Sequence, residues 1–207
     1  MNAPHKTASI GKICVYCGSG PGTDPAFIAA ATALGTAMAK AGIGLVYGGG
    51  DMGMMGAVAD AVKRHGGAVT GIIPDFLLNK ERAGFNGDGL IVTRDMHERK
   101  RTMFEMADAF VAMPGGIGTL EEIVEQMTWA QLGRHKKPIL LANIKGFWDP
   151  LSALLDHMKA LAFIRDGMEF EMLVADQVDD IIPMLQRAAQ AVPEAAKEMP
   201  EAVKEKL

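Results

Sequence analysis

The sequence predicts a doubly wound α/β fold, with a mainly parallel sheet of about seven strands and helices on both faces. Short apolar segments alternate with longer amphipathic segments along the whole chain. The short segments are apolar throughout, as expected for parallel strands that are covered on both faces. A chain of 207 residues, with 49% hydrophobic residues, can build one well-buried core. We therefore predict a single domain over residues 1–192.

The first half of the chain supplies four strands and three helices. Strands are predicted at residues 12–17, 44–47, 68–73 and 90–93. Helices are predicted at residues 26–41, from residue 54 through Val62, and from Asp95 to about residue 107. The first two strands lead into their helices through glycine-rich turns, and residues 74–89 are predicted to form a loop. This order is typical of a Rossmann-like fold.

The second half adds three more strands and their helices. Strands are predicted at residues 108–113, 139–142 and 173–175, and helices at residues 151–161 and 178–190. A further helix follows the glycine turn, with Thr119 as its predicted N-cap, because Leu120, Ile123, Val124 and Met127 recur with helical spacing. Residues 193–207 are charged and contain Pro200, which predicts a C-terminal tail outside the domain.

The turn at residues 113–122 is the best candidate for a chemical centre. A strand passes there through glycines into a helix, so backbone N–H groups and the positive end of the helix dipole point at one place. This arrangement suits a phosphate or a carboxylate. Thr119 and Glu122 have capping-box spacing, which gives Glu122 a structural interpretation. Glu121 and Glu122 both lie off the apolar stripe, so either carboxylate could instead reach the cleft and act on water or a sugar.

Two other glycine-rich turns are predicted to meet the first one. Gly18 and Ser19 follow the first strand, and residues 48–53 match the pattern G-x-G-x-x-G after the second. That pattern normally occupies the first turn of a dinucleotide-binding unit, so it predicts phosphate or ribose contact more than NAD chemistry. Because parallel strands end at one edge of the sheet, the three turns should line one cleft.

A basic helix start supplies the second group of candidates. Asp95 can cap this helix with Glu98 completing a capping box, and four basic residues crowd the first turns: His97, Arg99, Lys100 and Arg101. Cations at a helix N-terminus oppose the helix dipole. They are better explained by a nearby anion than by a solvated surface. Arginine is the stronger candidate, because its fork binds phosphate or carboxylate through two hydrogen bonds.

Composition excludes several classes of function. A net charge of -4 argues against a nucleic-acid partner. Cys14 and Cys17 are too few for a disulfide framework, and their spacing in a strand places them on opposite faces, which predicts buried thiols in a reducing cytosol. No apolar segment approaches the roughly 18 to 20 residues of a membrane span. A soluble cytoplasmic protein is expected.

Residues 114–122 (PGGIGTLEE) resemble the PGGxGTxxE signature of the LONELY GUY (LOG) family. These proteins are cytokinin riboside 5'-monophosphate phosphoribohydrolases, often labelled lysine decarboxylase-like. Residues 96–100 (MHERK) are similar to the family's MHxRK, and residues 17–19 and 48–56 also match, with Met54 where leucine is common. The resemblance covers about residues 13–164.

The resemblance implies hydrolysis of the N-glycosidic bond of AMP or an N6-modified AMP such as N6-prenyl-AMP. It implies no cofactor, no metal and a homodimer. Arg99 and Glu122 would be catalytic. The nucleotide would contact Gly18, Ser19, Glu81, Lys100, Gly115, Gly116, Ile117, Gly118, Thr119, Leu120, Glu121 and Thr128.

Two other functions stay open at this point. Related folds carry nucleotides or cofactors without converting them, so a non-catalytic carrier is one alternative. A decarboxylase in the literal sense is the other. It would need a lysine that forms a Schiff base with pyridoxal phosphate, and no motif marks Lys100 or Lys145 for that role. The sequence does not rank AMP against prenylated AMP.

Overall fold

The computed structural model describes residues 10–78, 89–164 and 171–191, which form one seven-stranded sheet and six α-helices. The strands are β1 (Lys12–Tyr16), β2 (Gly44–Tyr47), β3 (Val69–Pro74), β4 (Leu90–Thr93), β5 (Ala109–Ala112), β6 (Ile139–Ala142) and β7 (Met172–Ala175). The helices are α1 (Pro25–Lys40), α2 (Gly53–Arg64), α3 (Met96–Met106), α4 (Ile117–Gln131), α5 (Asp149–Ala160) and α6 (Val178–Ala191). All seven predicted strands are confirmed, with bounds within one residue of the prediction.

The strands lie in the order β4-β3-β2-β1-β5-β6-β7, and every neighbouring pair is parallel. The chain therefore builds outward from β1 to one edge of the sheet and then returns to β5 to build the other half. This reversal creates a switch point between β1 and β5. Turns that leave adjacent strands there diverge, which opens a crevice at the carboxyl edge of the sheet.

Helices cover both faces of the sheet, as predicted. On one face, α1, α2 and α6 bury apolar residues such as Leu34, Val58 and Leu185 against the strands. On the other face, α3, α4 and α5 pack against them through Phe104, Ile123 and others. None of the helices in the described ranges has the length and apolar character needed to cross a membrane.

The two cysteines lie on opposite faces of the sheet, as the strand spacing predicts. Cys14 belongs to the core layer beneath α3 and α4, whereas Cys17 belongs to the layer beneath α1 and α2. Both are buried free thiols, and burial raises the pKa of each. They are packing residues in this fold.

Some predictions fall on residues that lie outside this description. Glu81 and the tail at residues 193–207 are among them, so they stay predictions. The beginning of the predicted loop at residues 74–89 differs from expectation, because Asp75–Leu77 form a short 3-10 helix directly after β3.

His135 is a buried polar residue beyond the end of α4. Its Nδ1 accepts a hydrogen bond from the backbone N–H of Lys137 at 3.1 Å, so its Nε2 carries the hydrogen and donates to the carbonyl of Gln126 at 3.1 Å. The rings of Phe104 and Phe110 meet it edge-on. Burial in this aromatic surrounding lowers the pKa of His135 to about 4, and the charge of Lys137 adds to the effect.

We predict that His135 makes folding stability fall in mild acid. Unfolding restores its ordinary pKa of 6.5, so between pH 6.5 and about 4 the unfolded chain binds more protons. The free energy of unfolding should fall by up to about 3 kcal/mol across that window, since each pKa unit is worth about 1.4 kcal/mol. Urea unfolding at several pH values measures this loss. His135→Gln should show a smaller loss, while His157→Gln on exposed α5 should behave as the wild type; equal pH dependence in all three would contradict the prediction.

Candidate active site

The three glycine-rich turns meet at the switch point, as predicted. The N–H of Gly18, after β1, donates to the carbonyl of Pro114, after β5, at 3.1 Å. The turn after β1 also covers the start of α2, because the N–H groups of Met54 and Met55 donate to the carbonyls of Gly20 and Gly18 at 3.4 and 3.3 Å. The amides that open α2 are therefore occupied by the protein itself.

These contacts decide which of the three turns can receive an anion. After the G-x-G-x-x-G segment at residues 48–53, the amides of Met54 and Met55 already donate to protein carbonyls, so they cannot bind a phosphate. The start of α1 is likewise closed, since the carboxylate of Asp24 accepts from the N–H of Ala26 at 2.8 Å. Of these three helix starts, α4 is the one that remains open.

The first turn of α4 is built for an anion. Its N-cap residue is Gly116, in an extended conformation, and no side chain caps the helix. The first N–H groups of a helix have no acceptor within it, and they lie at the positive end of its dipole. Gly116 and Gly118 have open space around them, and Ile117 between them is 83% exposed. A ligand can therefore approach this backbone closely.

The predicted capping box at Thr119 is wrong. The helix begins two residues earlier, at Ile117, so Thr119 lies inside the first turn and is buried. Its side chain packs directly against Gly115, at a place where any Cβ on residue 115 would overlap it. Gly115 and Gly116 thus allow the helix to begin at Ile117, and the missing side chain of Gly115 leaves room for Thr119 to be buried. Glu122 is then no longer at the position where it could cap the helix.

Glu122 instead forms a buried ion pair with Arg99. Arg99 Nη1 donates to Glu122 Oε1 at 2.6 Å, and each side chain is only 10% exposed. Arg99 Nε also donates to the carbonyl of Ile72 at 3.1 Å, which fixes the plane of the guanidinium. Gly48 completes the site, because a Cβ on that residue would lie 2.5 Å from Arg99 Nη2. The pair joins α3 to α4 at the carboxyl edge of the sheet.

Burial and charge act in opposite directions on Glu122. Burial raises the pKa of this carboxyl group above the ordinary value of 4.5, and the charge and hydrogen bond of Arg99 oppose that rise. Burial is the larger effect, so the pKa is raised. A carboxylate with a raised pKa is a better proton acceptor than a surface glutamate, which is the property that a general base requires.

Lys100 meets the exposed side of the same helix. Its Nζ lies 2.6 Å from Glu121 Oε1 and 2.9 Å from Glu125 Oε1. Burial lowers the pKa of Lys100, but its bonds to the two carboxylates outweigh burial and raise the pKa overall. Arg99 and Lys100 of α3 therefore face three carboxylates of α4. The sequence predicted an anion beside the basic start of α3, and in the structure the carboxylates of Glu121, Glu122 and Glu125 occupy that place.

The start of α3 itself follows the prediction with one difference. Asp95 Oδ1 accepts from the N–H of Glu98 at 2.8 Å, as a capping residue should. The carboxylate of Glu98, however, reaches back to the N–H of Arg94 at 2.8 Å. The side chain of Arg94 also binds this carboxylate. The hydrogen bonds that cap α3 therefore extend one residue further toward the N-terminus, to Arg94, than in a standard capping box.

The sequence and its relatives identify the family. Residues 55–185 match the family model described as "Possible lysine decarboxylase". The chain is 43% identical over 183 residues to the cytokinin riboside 5'-monophosphate phosphoribohydrolase LOG of Oryza sativa subsp. japonica, covering 88% of this chain and 74% of that protein. The chain belongs to the LONELY GUY family. The LOG7 protein of Arabidopsis thaliana, which carries the same enzyme name, is 41% identical over 175 residues, covering 84% of this chain and 81% of that one.

Solved structures of similar fold extend beyond the LONELY GUY family. The molybdenum cofactor binding protein of Rippkaea orientalis has a TM-score of 0.63 at 24% identity, covering 86% of this chain and 97% of that chain. The Moco carrier protein of Chlamydomonas reinhardtii has a TM-score of 0.63 at 21% identity, covering 89% and 100%. Identities this low show a shared fold alone.

The residues implied by the LONELY GUY resemblance fall into two groups. Most lie around the crevice, at the turns after β1 and β5 and on the facing ends of α3 and α4. Ser19 is exposed there beside buried Gly18, and Leu120 is half-buried. Thr128 is different, because it lies nine residues beyond Thr119 on the exposed side of α4, about 13 Å along the helix axis. Within one chain, Thr128 is therefore remote from the glycine turn.

Sequence reasoning missed Gln126, which is fully buried on α4. Neither polar atom of its amide has a hydrogen-bond partner among the described residues, and the same holds for Glu125 Oε2. Glu122 and Gln126 are buried on α4 together with Ile123 and Met127, while Val124, which belongs to the predicted apolar stripe, is 39% exposed. The signal was present in the sequence, since Gln126 follows Glu122 at the four-residue spacing of neighbours on one helix face.

We predict strong energetic coupling between Arg99 and Glu122. Either Arg99→Met or Glu122→Gln leaves a buried polar partner unpaired and should cost about 3 kcal/mol of unfolding free energy. The double variant should lose less than the sum, with a coupling of about 2 kcal/mol by urea unfolding. The exposed pair Arg94 and Glu98 is the matched control and should show little coupling. Additive losses at residues 99 and 122 would disprove the pairing.

Proposed function

We propose that this protein hydrolyses the N-glycosidic bond of adenosine 5'-monophosphates, releasing the free base and ribose 5-phosphate. The observation that carries the proposal is that one helix, α4, presents an open anion-binding turn at Gly116 and a buried carboxylate at Glu122 fewer than two turns later. A nucleotide monophosphate has a matching arrangement, with a phosphate at one end of the sugar and the bond to be broken at the other. The names of the curated relatives support the same reaction.

The phosphate is assigned to the start of α4. The N–H groups at residues 116–119 donate to its oxygens, and the helix dipole stabilises its charge. Lys100 is a weaker candidate for this contact, because two carboxylates already neutralise it. Ser19, exposed in the turn after β1, lies on the other side of the crevice and is assigned a contact with the nucleotide.

Glu122 is assigned the role of general base, oriented by Arg99. As the bond between C1' and the purine nitrogen breaks, the base leaves with the bonding electrons, and positive charge develops on the ribose. Water attacks C1' and gives a proton to Glu122, while the departing base takes up a proton from solvent. Arg99 engages Oε1, so Oε2 is assigned as the proton acceptor. The carboxylate also stabilises the positive charge of the sugar.

The carrier alternative is favoured only by the similarity of fold to molybdenum cofactor proteins. Fold similarity does not transfer function, which resides in particular side chains. The decarboxylase alternative has less support still. Lys100 is held by two carboxylates, and Lys145 is exposed in a short 3-10 helix, so neither lies in the apolar surrounding in which a Schiff-base lysine is activated.

The first test is product formation. Wild-type protein incubated with AMP, and separately with N6-isopentenyl-AMP, should release free base, detected by chromatography. Comparison of the two substrates decides which nucleotide is preferred. Glu122→Gln should lower kcat by about 100-fold or more, in the range expected for loss of a general base, while binding of ribose 5-phosphate persists. If the wild type binds nucleotide but releases no base from either substrate, the carrier alternative is correct.

The second test is the pH dependence of kcat/KM. The base must be ionised, so activity should fall as pH drops through the pKa of Glu122, and the midpoint should lie above the ordinary carboxyl value of 4.5. Glu121 raises this pKa through its negative charge. Glu121→Gln should therefore move the midpoint to lower pH. A midpoint below 4.5 in the wild type would be inconsistent with Glu122 as the base.

We also propose that the protein is a homodimer formed through the face of α4 and α5. Both helices cover the same side of the sheet, and α5 has no buried residue. Large apolar side chains are exposed along this face: Val124, Leu132, Leu154, Met158 and Leu161. Exposed apolar side chains concentrated on two helices of one layer favour an interface there. Such a dimer could also place Thr128 at a nucleotide site. Thr128 is remote from the glycine turn of its own chain, but across the interface it can face the glycine turn of the partner subunit.

The dimer is tested by its molecular mass in solution. Met158→Glu places a charge in the centre of the proposed interface and should shift the species measured by light scattering from dimer to monomer. Gln186→Glu, on the exposed side of α6 in the opposite layer, adds a charge elsewhere and should leave the mass unchanged. A Met158→Glu variant that stays dimeric would place the interface on another surface.

We place the protein in the cytoplasm, without a nucleic-acid partner. Two unpaired cysteines agree with a reducing compartment. The net charge of -4 lacks the basic footprint of proteins that bind nucleic acid.

A further inference from the structure

The connection between β6 and α5 touches the strand that carries the anion-binding turn. Trp148 is buried, and its indole Nε1 donates to the carbonyl of Ala112 at 3.0 Å. Ala112 is the last residue of β5, and Pro114, two residues later, accepts the hydrogen bond from Gly18. The indole is therefore hydrogen-bonded to the backbone four residues before Gly116, the N-cap of α4.

Asn143 fixes the position of Trp148. Its Oδ1 accepts from the backbone N–H of Trp148 at 2.8 Å, and its Nδ2 donates to Asp149 Oδ1 at 2.8 Å and to Asp176 Oδ1 at 2.9 Å. Its own N–H donates to the carbonyl of Ala175 at 2.8 Å. One buried amide thus joins the end of β7, the start of α5 and the tryptophan. A network in which each member has its partners holds a single geometry.

Aromatic packing and backbone strain show that this connection has a defined shape. Phe147 meets the indole edge-on with ring centroids 4.9 Å apart, and it meets Phe27 of α1 at 6.0 Å. Lys145 has a φ of +58°, a conformation that residues other than glycine adopt only at a cost. Such a conformation persists where the surrounding contacts enforce it.

We propose that Trp148, held by Asn143, is a positioning residue for the phosphate site at the start of α4. The hydrogen bond to Ala112 sets where β5 ends, and the end of β5 sets where the N–H groups at residues 116–119 lie. The residue acts through the backbone and does not touch the substrate. This proposal rests on the proposed function, because it concerns the same phosphate site.

Trp148→Phe tests the proposal by removing the donor while keeping an aromatic ring. The affinity for ribose 5-phosphate should fall about fivefold, the value of one hydrogen bond of about 1 kcal/mol, and KM for AMP should rise by a similar factor. Trp129→Phe is the matched control, since it makes the same exchange at an indole that packs against Phe104 and is not hydrogen-bonded to Ala112. It should lower the melting temperature and leave both constants unchanged.

Unchanged ribose 5-phosphate affinity in Trp148→Phe, or an equal loss in both variants, would show that Trp148 only packs. If Trp148→Phe does not fold, an NMR measurement on the wild type still tests the proposal. The chain has two tryptophans, so Trp129→Phe assigns the indole N–H resonances. The Trp148 resonance should shift on saturation with ribose 5-phosphate, and an unmoved resonance overturns the proposal. Turnover of AMP by the wild type tests the proposed function separately.

Discussion

The buried pair of Arg99 and Glu122 is the interaction on which the site depends. Two ionised groups are costly to remove from water, and they stay charged inside a protein only with close, well-oriented partners. Here the partners come from helices that follow β4 and β5, and three other strands lie between these two in the sheet, so the pair forms only when those strands are assembled in order. Gly48 and the carbonyl of Ile72 shape the space around the guanidinium. The fold therefore assembles the charge pair, and the charge pair fixes how α3 meets α4.

Helix α4 has both an uncapped N-terminus and a buried carboxylate because of how it begins. A start at Ile117, preceded by glycines, leaves its first amides open and turns Thr119 inward. The same start places Glu122 on the buried side, next to Arg99. Had the helix begun at Thr119, its side chain would have capped the amides, and Glu122 would have closed the cap. The open amides and the buried carboxylate thus both result from the start of α4 at Ile117.

The relatives and the structural neighbours separate fold from function. The proteins at about 40% identity carry an enzyme name, whereas those at 21–24% identity share the sheet and are described as cofactor binding or carrier proteins. A doubly wound sheet offers a crevice at its switch point whatever it binds. What distinguishes one use from another is the set of side chains at that crevice, such as the arginine and the glutamate that α3 and α4 bring together.

The sequence by itself determined the strands, the helices, the layered fold and the turn at residues 113–122, because periodicity and glycine placement are local properties. Tertiary structure decided the rest. It closed the amides of α2 with carbonyls from Gly18 and Gly20, paired Arg99 with Glu122, and buried Gln126 where Val124 was expected. These outcomes depend on residues far apart in the chain, whose separation in space is set by strand order and helix rotation. Local patterns do not set strand order, and the apolar stripe of a helix indicates its rotation only approximately.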